Sequence, residues 1–374
     1  MSTAGSSKEP SSASGSKSTQ LPVRPKPAAT TNGIASSTSS TQQNGGAFDI
    51  VHTYRDLLNS DRDLTMGVAA IESLIELLSA TPSSTAMELV GLVKNEKAKL
   101  LASTPNPLPL LAGADLFEQY LLRSLRGPAA TGTGAGTGNN RVLTFDETCQ
   151  HLLDNKTLFA QRAKDDRDKI AKWGSRYVAD GGIVLTAGGS RTVTKILLHA
   201  AADQTKHFKV IYIVDAHNKR SAVAVSQLRA AGLEVETISP NKVAYVLGNT
   251  KSINLVLVGT EVVMQNGGII SGMGTAQLAH LTRSVKGGIK RFYVAAETHK
   301  ICRKNPIAYP MVNRVGVSQK DVSKFANIGV DPDPAMLAEN DEVDYTEPGL
   351  IDGIITEQGV KMASQIWEMV DDYI

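Results

Sequence analysis

From Gly181 onward the chain repeats one pattern: a short apolar run, a polar or glycine-rich turn, then a helical stretch. The runs are GIVLT (182–186), KVIYIV (209–214), VETIS (235–239), INLVLVG (253–259) and RFYVAA (291–296), which ends the regular series. Helical stretches are expected over 193–202, 221–231, 243–247 and 275–285. Runs that are apolar at consecutive positions are buried on both faces. Strands joined through helices re-enter the sheet from the same end and pair in parallel. The pattern predicts a Rossmann-like domain over 181–374 with a mostly parallel sheet. Ligands of such sheets bind beyond the carboxyl ends of the strands.

Upstream the period changes. Ile71, Leu74, Ile75 and Leu78, extended by Val68, follow the spacing of one buried helix face. Asp61 or Asp63 is expected to cap that helix, and Pro82 lies just past its end. Further helices are expected over 84–101, 113–125 and 145–178, the last carrying Ile170, Trp173 and Tyr177 on one face. The fold class is therefore α/β: a helical domain over 47–180, then the Rossmann-like domain. Residues 127–141 contain GPAATGTGAGTGNN, which follows no strand and reads as a flexible insertion rather than a dinucleotide loop. Residues 1–46 are Ser/Thr-rich with few large apolar side chains and read as a disordered tail, in which Arg24-Pro25-Lys26-Pro27 reads as linker rather than a polyproline docking motif.

Charge narrows the function classes. The whole chain of 374 residues has a formal charge of +2. Its first 47 residues hold Lys8, Lys17, Arg24 and Lys26 against Glu9, so the rest carries −1. Such a body has no electrostatic basis for direct nucleic-acid binding. Cys149 and Cys302 are too few for a disulfide framework or a four-cysteine zinc site, and the seven histidines show no paired metal-ligand spacing. Cys302 is expected as a buried structural thiol and His299 as a surface residue. With no long apolar span and no apolar leader near the start, the expected location is cytoplasmic, away from membranes.

Two turns carry the candidate chemistry. Thr186, Gly188, Gly189, Ser190 and Arg191 join the first strand to its helix. Glycines let a ligand approach the backbone, Ser190 or Thr192 can cap the helix, and Arg191 adds charge for an anion. The same residues also fit a capped tight turn without a ligand. In the stretch 258–275, Glu261 follows a buried strand and can act as an acid or base if desolvated. Asn266, Gly267 and Gly268 form a turn in a glycine-rich loop, and Gly274 and Thr275 open a helix. Neither stretch matches a Walker A loop or a full dinucleotide fingerprint.

LTAGGSRTV (185–193), FKVIYIVDA (208–216), VLVGTEVVMQNGGIISGMGT (256–275), RFYVAAETHKICR (291–303) and VDYTEPGLIDGIITEQGV (343–360) resemble the alpha, beta and delta regulatory subunits of eukaryotic translation initiation factor 2B, the alpha type in particular. MGVAAIESLIELL (66–78) and GADLFEQYLL (113–122) resemble the helical domain of that family. The resemblance implies a non-catalytic regulatory subunit of a guanine nucleotide exchange factor. It implies a homodimer that joins beta and delta subunits in a core carrying gamma and epsilon. It further implies contact with the phosphorylated alpha subunit of initiation factor 2, placed near Val68, Ile71 and Glu72.

The family shares its fold with sugar-phosphate isomerases acting on methylthioribose 1-phosphate and ribose 1,5-bisphosphate. Where those enzymes place a cysteine, an aspartate and an Asn-Lys pair, this chain has Gly188, Glu261 and Ser271-Gly272. The resemblance thus implies no catalytic residues and no obligatory cofactor, with a sugar phosphate or nucleotide as a regulatory ligand of the remaining pocket. An isomerase and a metabolite-sensing assembly protein are the alternatives. The chain also departs from the usual alpha type at Ala187, Gly189, Asp215 to Asn218 and Pro240. Near the end, Trp367 and Met369 either pack into a subunit interface or belong, with Asp371 and Asp372, to a solvated helix end.

Overall fold

The apolar runs pair in the parallel register that their pattern demands. The computed structural model describes residues 48–61, 63–81, 85–104, 106–126, 150, 156–215, 219–285, 290–304 and 343–372. The 1–46 tail, the 127–141 insertion, Pro82 and Cys149 lie outside them.

In chain order the strands are β1 (Ile183–Ala187), β2 (Lys209–Ile213), β3 (Glu234–Ile238), β4 (Ile253–Gly259), β5 (Val262–Met264), β6 (Ile269–Gly272), β7 (Arg291–Ala295), β8 (Ile301–Cys302), β9 (Val343–Thr346), β10 (Gly353–Thr356) and β11 (Gly359–Lys361). Seven form the main sheet in the order β11-β10-β7-β4-β1-β2-β3. All its pairs are parallel except β10 with β11. The order reverses between β1 and β4, and a crevice opens at the carboxyl ends there. Val184, Leu255 and Leu257 bury one face of the sheet, and Leu185, Val256 and Val258 bury the other.

Two expectations are corrected. The regular series does not end at RFYVAA, because β10 pairs with β7 and β11 turns back along it. The stretch 258–275 is not an open loop. Its β-branched residues form β5 and β6, a hairpin that belongs to a second sheet in the order β8-β5-β6-β9.

The upstream helices are α1 (Ile50–Ser60), α2 (Met66–Ala80), α3 (Ala86–Ala102), α4 (Leu108–Arg126) and α5 (Lys156–Gly174). Thr65, not Asp61 or Asp63, caps α2: its Oγ1 accepts from Val68 N at 3.4 Å. Asp61 instead accepts from the Asp63 amide at 2.7 Å. Helices α2 and α4 cross at Gly67 and Gly113, where a Cβ on Gly113 would collide with the Gly67 carbonyl.

Burial locates the residues expected near a partner contact. Val68 and Ile71 are 2% and 1% exposed, and Glu72 is 8% exposed. Val68 and Ile71 pack within the core of the helical region, and Glu72 is buried beside them. Near the end of α5, Ile170 is buried and Trp173 exposed, and Tyr177, in the turn that follows, is exposed as well.

Candidate functional site

The first turn of α6 (Arg191–Ala201) sits at the crevice. Ser190 Oγ accepts from Val193 N at 3.4 Å and caps this helix. Gly259, at the end of β4, packs directly on Ser190. Gly188 and Gly189 have φ of +83° and +71°, a region that residues with a Cβ rarely adopt. A Cβ on Gly189 would also lie 2.6 Å from the Arg220 backbone, whereas one on Gly188 would meet open space. The Gly189 amide donates to the Tyr212 hydroxyl at 2.9 Å. Burial pushes the pKa of that phenol up to about 12. Thr186 and Ser221 are 0% and 1% exposed, and their hydroxyls have no partner among the described residues.

Arg191 reaches across to the helical region. Its guanidinium donates to the Leu64 carbonyl at 3.4 Å and lies 3.8 Å from Asp63. Burial, then the neighbouring Arg167, lowers its pKa.

Glu261, the candidate acid or base, is hydrogen-bonded to the helical region. Asn106 donates its side-chain amide to Glu261 Oε2 at 2.8 Å. The Asn106 Oδ1 in turn accepts from Leu108 N at 3.4 Å, which starts α4 earlier than the expected 113. Glu261 thus links a helix start to a strand end.

The centre of the polar cluster is Glu297, which the sequence reading missed. It is 1% exposed. Thr192 donates to its Oε1 at 2.8 Å, Lys300 Nζ lies 2.6 Å from Oε2, and Arg167 Nε lies 3.6 Å from Oε1. Burial opposes its charge, but Lys300, His299 and the Thr192 hydrogen bond hold its carboxyl well below the usual range. Its position just after VAA, at the end of a buried strand, matches that of Glu261 and is the signal available in the sequence. Lys300 also donates to the Thr260 carbonyl at 3.1 Å. His299, expected at the surface, is half-buried. Its Nε2 lies 3.2 Å from Thr65 Oγ1, and burial lowers its pKa to about 4, so it is neutral near pH 7.

The remaining candidates belong to the scaffold. Asn266 donates to the Tyr345 hydroxyl at 2.8 Å and accepts from Gly268 N at 3.0 Å. Gly267 packs on Ala363 and Gly268 on Tyr345. Gly274 and Thr275 start α7 (Thr275–Ser284), but the Asp344 carboxylate accepts from Gly274 N at 2.8 Å and Ala276 N at 3.0 Å. An anion at this helix start would have to displace Asp344.

Cys302 is fully buried, and burial raises its pKa to about 11. No group of three His, Cys, Asp or Glu suited to a metal occurs among the described residues. No helix among them is long and apolar enough to cross a membrane. A cleft of about 550 Å³ lies at the opposite, amino end of the strands, lined by Gly182, Lys206, Lys209 and Glu234 among others.

The sequence profile of the Initiation factor 2 subunit family matches residues 60–362. The chain belongs to this family. Among similar sequences, the translation initiation factor eIF2B subunit alpha of Dictyostelium discoideum is 27% identical over 334 residues, covering 85% of this chain and 94% of that one. The ribose 1,5-bisphosphate isomerase of Archaeoglobus fulgidus is 25% identical over 297 residues, covering 76% of this chain and 89% of that enzyme. Among solved structures, the tetrameric eIF2B-beta2-delta2 complex from C. thermophilum contains a chain with the same fold. It matches with a TM-score of 0.64 and 18% identity, covering 87% of this chain and 96% of that one. The chain is thus similar both to proteins named as initiation-factor subunits and to one named as an isomerase.

Proposed function

We propose that this chain is a non-catalytic regulatory subunit of the guanine nucleotide exchange factor serving translation initiation factor 2. In this reading it pairs with a second copy of itself and joins beta and delta subunits in a core carrying gamma and epsilon. It works in the cytoplasm, within the integrated stress response, by sensing phosphorylation of the alpha subunit of initiation factor 2. A phosphoserine adds charge and changes which surface binds best.

One observation carries the non-catalytic part. Gly188 offers no side chain at the strand end, and the Glu261 carboxylate is engaged by Asn106. A proton-transfer pair needs two groups within hydrogen-bond reach of one substrate. The match along 94% of a relative named as an alpha subunit supports the regulatory part. The Thr186–Arg191 turn retains an open glycine, a capped helix start and a cation. It suits a sugar phosphate or nucleotide held as a regulator rather than turned over.

The test is binding of the full chain, co-expressed with its partner subunits, to phosphorylated and unphosphorylated initiation factor 2. Preference for the phosphorylated form is expected, and equal binding removes the sensor role. Native mass measurement of the assembly reads the pairing and any bound small molecule.

A second reading, a sugar-phosphate isomerase, draws on the relatives named as ribose 1,5-bisphosphate isomerases. It requires turnover of an aldose 1-phosphate that is lost in Glu261→Gln. Absence of turnover at high enzyme concentration eliminates it.

A further inference from the structure

The contacts around Arg191 close a ring. Its guanidinium faces the Asp63 carboxylate at 3.8 Å and the Leu64 carbonyl at 3.4 Å. Arg167 donates to the Asp63 carbonyl at 2.7 Å and lies 4.0 Å from the Asp63 carboxylate. Arg167 also faces the buried Glu297 at 3.6 Å. Glu297 accepts from Thr192 at 2.8 Å, and Thr192 is the chain neighbour of Arg191.

The ring has one soft corner. The side chain of Glu297 is 1% exposed and that of Arg167 is 5% exposed, whereas those of Asp63 and Arg191 are 63% and 41% exposed. A solvated ion pair is weak and exchangeable, while a buried one resists removal of either partner. Arg191 is also the cation beside the Ser190-capped helix start. Close to Gly189 stands the buried Ser221, whose hydroxyl has no partner among the described residues.

We propose that Asp63 is a built-in competitor: its carboxylate occupies the side of Arg191 that a phosphate-bearing ligand in the Gly188–Arg191 turn takes. Binding exchanges Asp63 for the ligand. Glu297 keeps Thr192 and Arg167 in place, so the helix start does not move. The element released is the Asp63–Thr65 segment that leads into α2. A ligand at the strand ends thereby loosens one edge of the helical region without unfolding either part. This inference rests on the regulatory-ligand reading above.

The experiment is isothermal titration of the full chain with inorganic phosphate and with ribose 5-phosphate, comparing wild type, Asp63→Asn, Asp63→Ala and Arg191→Ala. The expected result is affinity about two- to fivefold tighter in both Asp63 variants, the range that loss of an exposed ion-pair competitor gives. Arg191→Ala is expected to bind more weakly than wild type. Hydrogen exchange at the 63–66 amides is expected to speed up when ribose 5-phosphate binds wild type. If wild type binds and Arg191→Ala weakens binding, but both Asp63 variants bind equally to wild type or less tightly, the competitor role is overturned and the ligand reading stands. If neither probe binds wild type or any variant, the ligand reading fails and the competitor role fails with it. Binding by the Asp63 variants alone supports the proposal most directly, because a purely structural Asp63 would not suppress binding.

Discussion

Asn106 and Glu261 meet through a side-chain hydrogen bond of 2.8 Å across 155 residues of sequence. Asn106 is 7% exposed, so this carboxylate works as a strut between α4 and the end of β4. A hydrogen bond to a charged group contributes about 1.5–3 kcal/mol. Asn106→Ala and Glu261→Ala should each lower stability by about that amount in urea denaturation. Glu261→Gln keeps an acceptor oxygen and should cost less than half as much.

Gly188 and Gly189 share a left-handed backbone but differ in surroundings. Gly189→Ala adds a collision with the Arg220 backbone to the conformational cost, whereas Gly188→Ala enters open space. A left-handed residue with a Cβ costs about 1–2 kcal/mol, the expected loss for Gly188→Ala. Gly189→Ala should exceed it by at least about 1 kcal/mol. Thermal unfolding of the two variants side by side checks the order.

Asp344 gives a pH dependence of defined sign. Burial pushes its pKa from 3.8 up to about 6, against the pull of the Ala276 and Gly274 amides. The folded state therefore holds this proton more tightly than the unfolded chain. The associated stability is fully present below about pH 4 and is lost as pH rises through about 6, roughly 3 kcal/mol in all. Asp344→Asn retains an acceptor for both amides and has no such proton. The stability of the variant relative to wild type should rise between pH 4 and pH 7. Denaturation curves at both pH values measure it, and an unchanged difference would falsify this assignment.

Cys302 should resist alkylation in the native protein. Its thiol is fully buried and its pKa is raised to about 11. Reaction requires an exposed thiolate. Mass spectrometry after iodoacetamide at pH 8 should show Cys302 unlabelled until denaturant is added.

The central sheet was legible because β1, β2, β4 and β7 are apolar at consecutive positions, which few other structures accommodate. The turn at Gly188–Arg191 was legible because capping chemistry is local. What escaped was set by distant partners. Glycines punctuate VVMQNGGIISG, so it reads as a loop until Ile269 and Ile270 find Thr346 and Tyr345 on β9. Asp61 and Asp63 are good caps in isolation, but Thr65 sits one residue before the buried face of α2. Glu72 lies between the apolar positions of α2 in the sequence, and only the packing around α2 shows it buried. Glu297 and His299 take their chemistry from Thr192, Arg167 and Thr65, and no spacing within AAETHK encodes those partners.

The Thr65–His299 contact has a consequence for synthesis of the chain. Its two residues are 234 positions apart. At ribosomal rates of about 5–20 residues per second, the cap of α2 waits roughly 10–50 s for its partner to be made. During that interval the start of α2 and residues 63–65 have no β7 end to dock on. The helical region must hold together on its own packing, with Gly67 against Gly113, before the strand ends exist to receive it. Substitutions that weaken the α2–α4 crossing should therefore reduce the yield of newly made protein more than they reduce the stability of protein already folded.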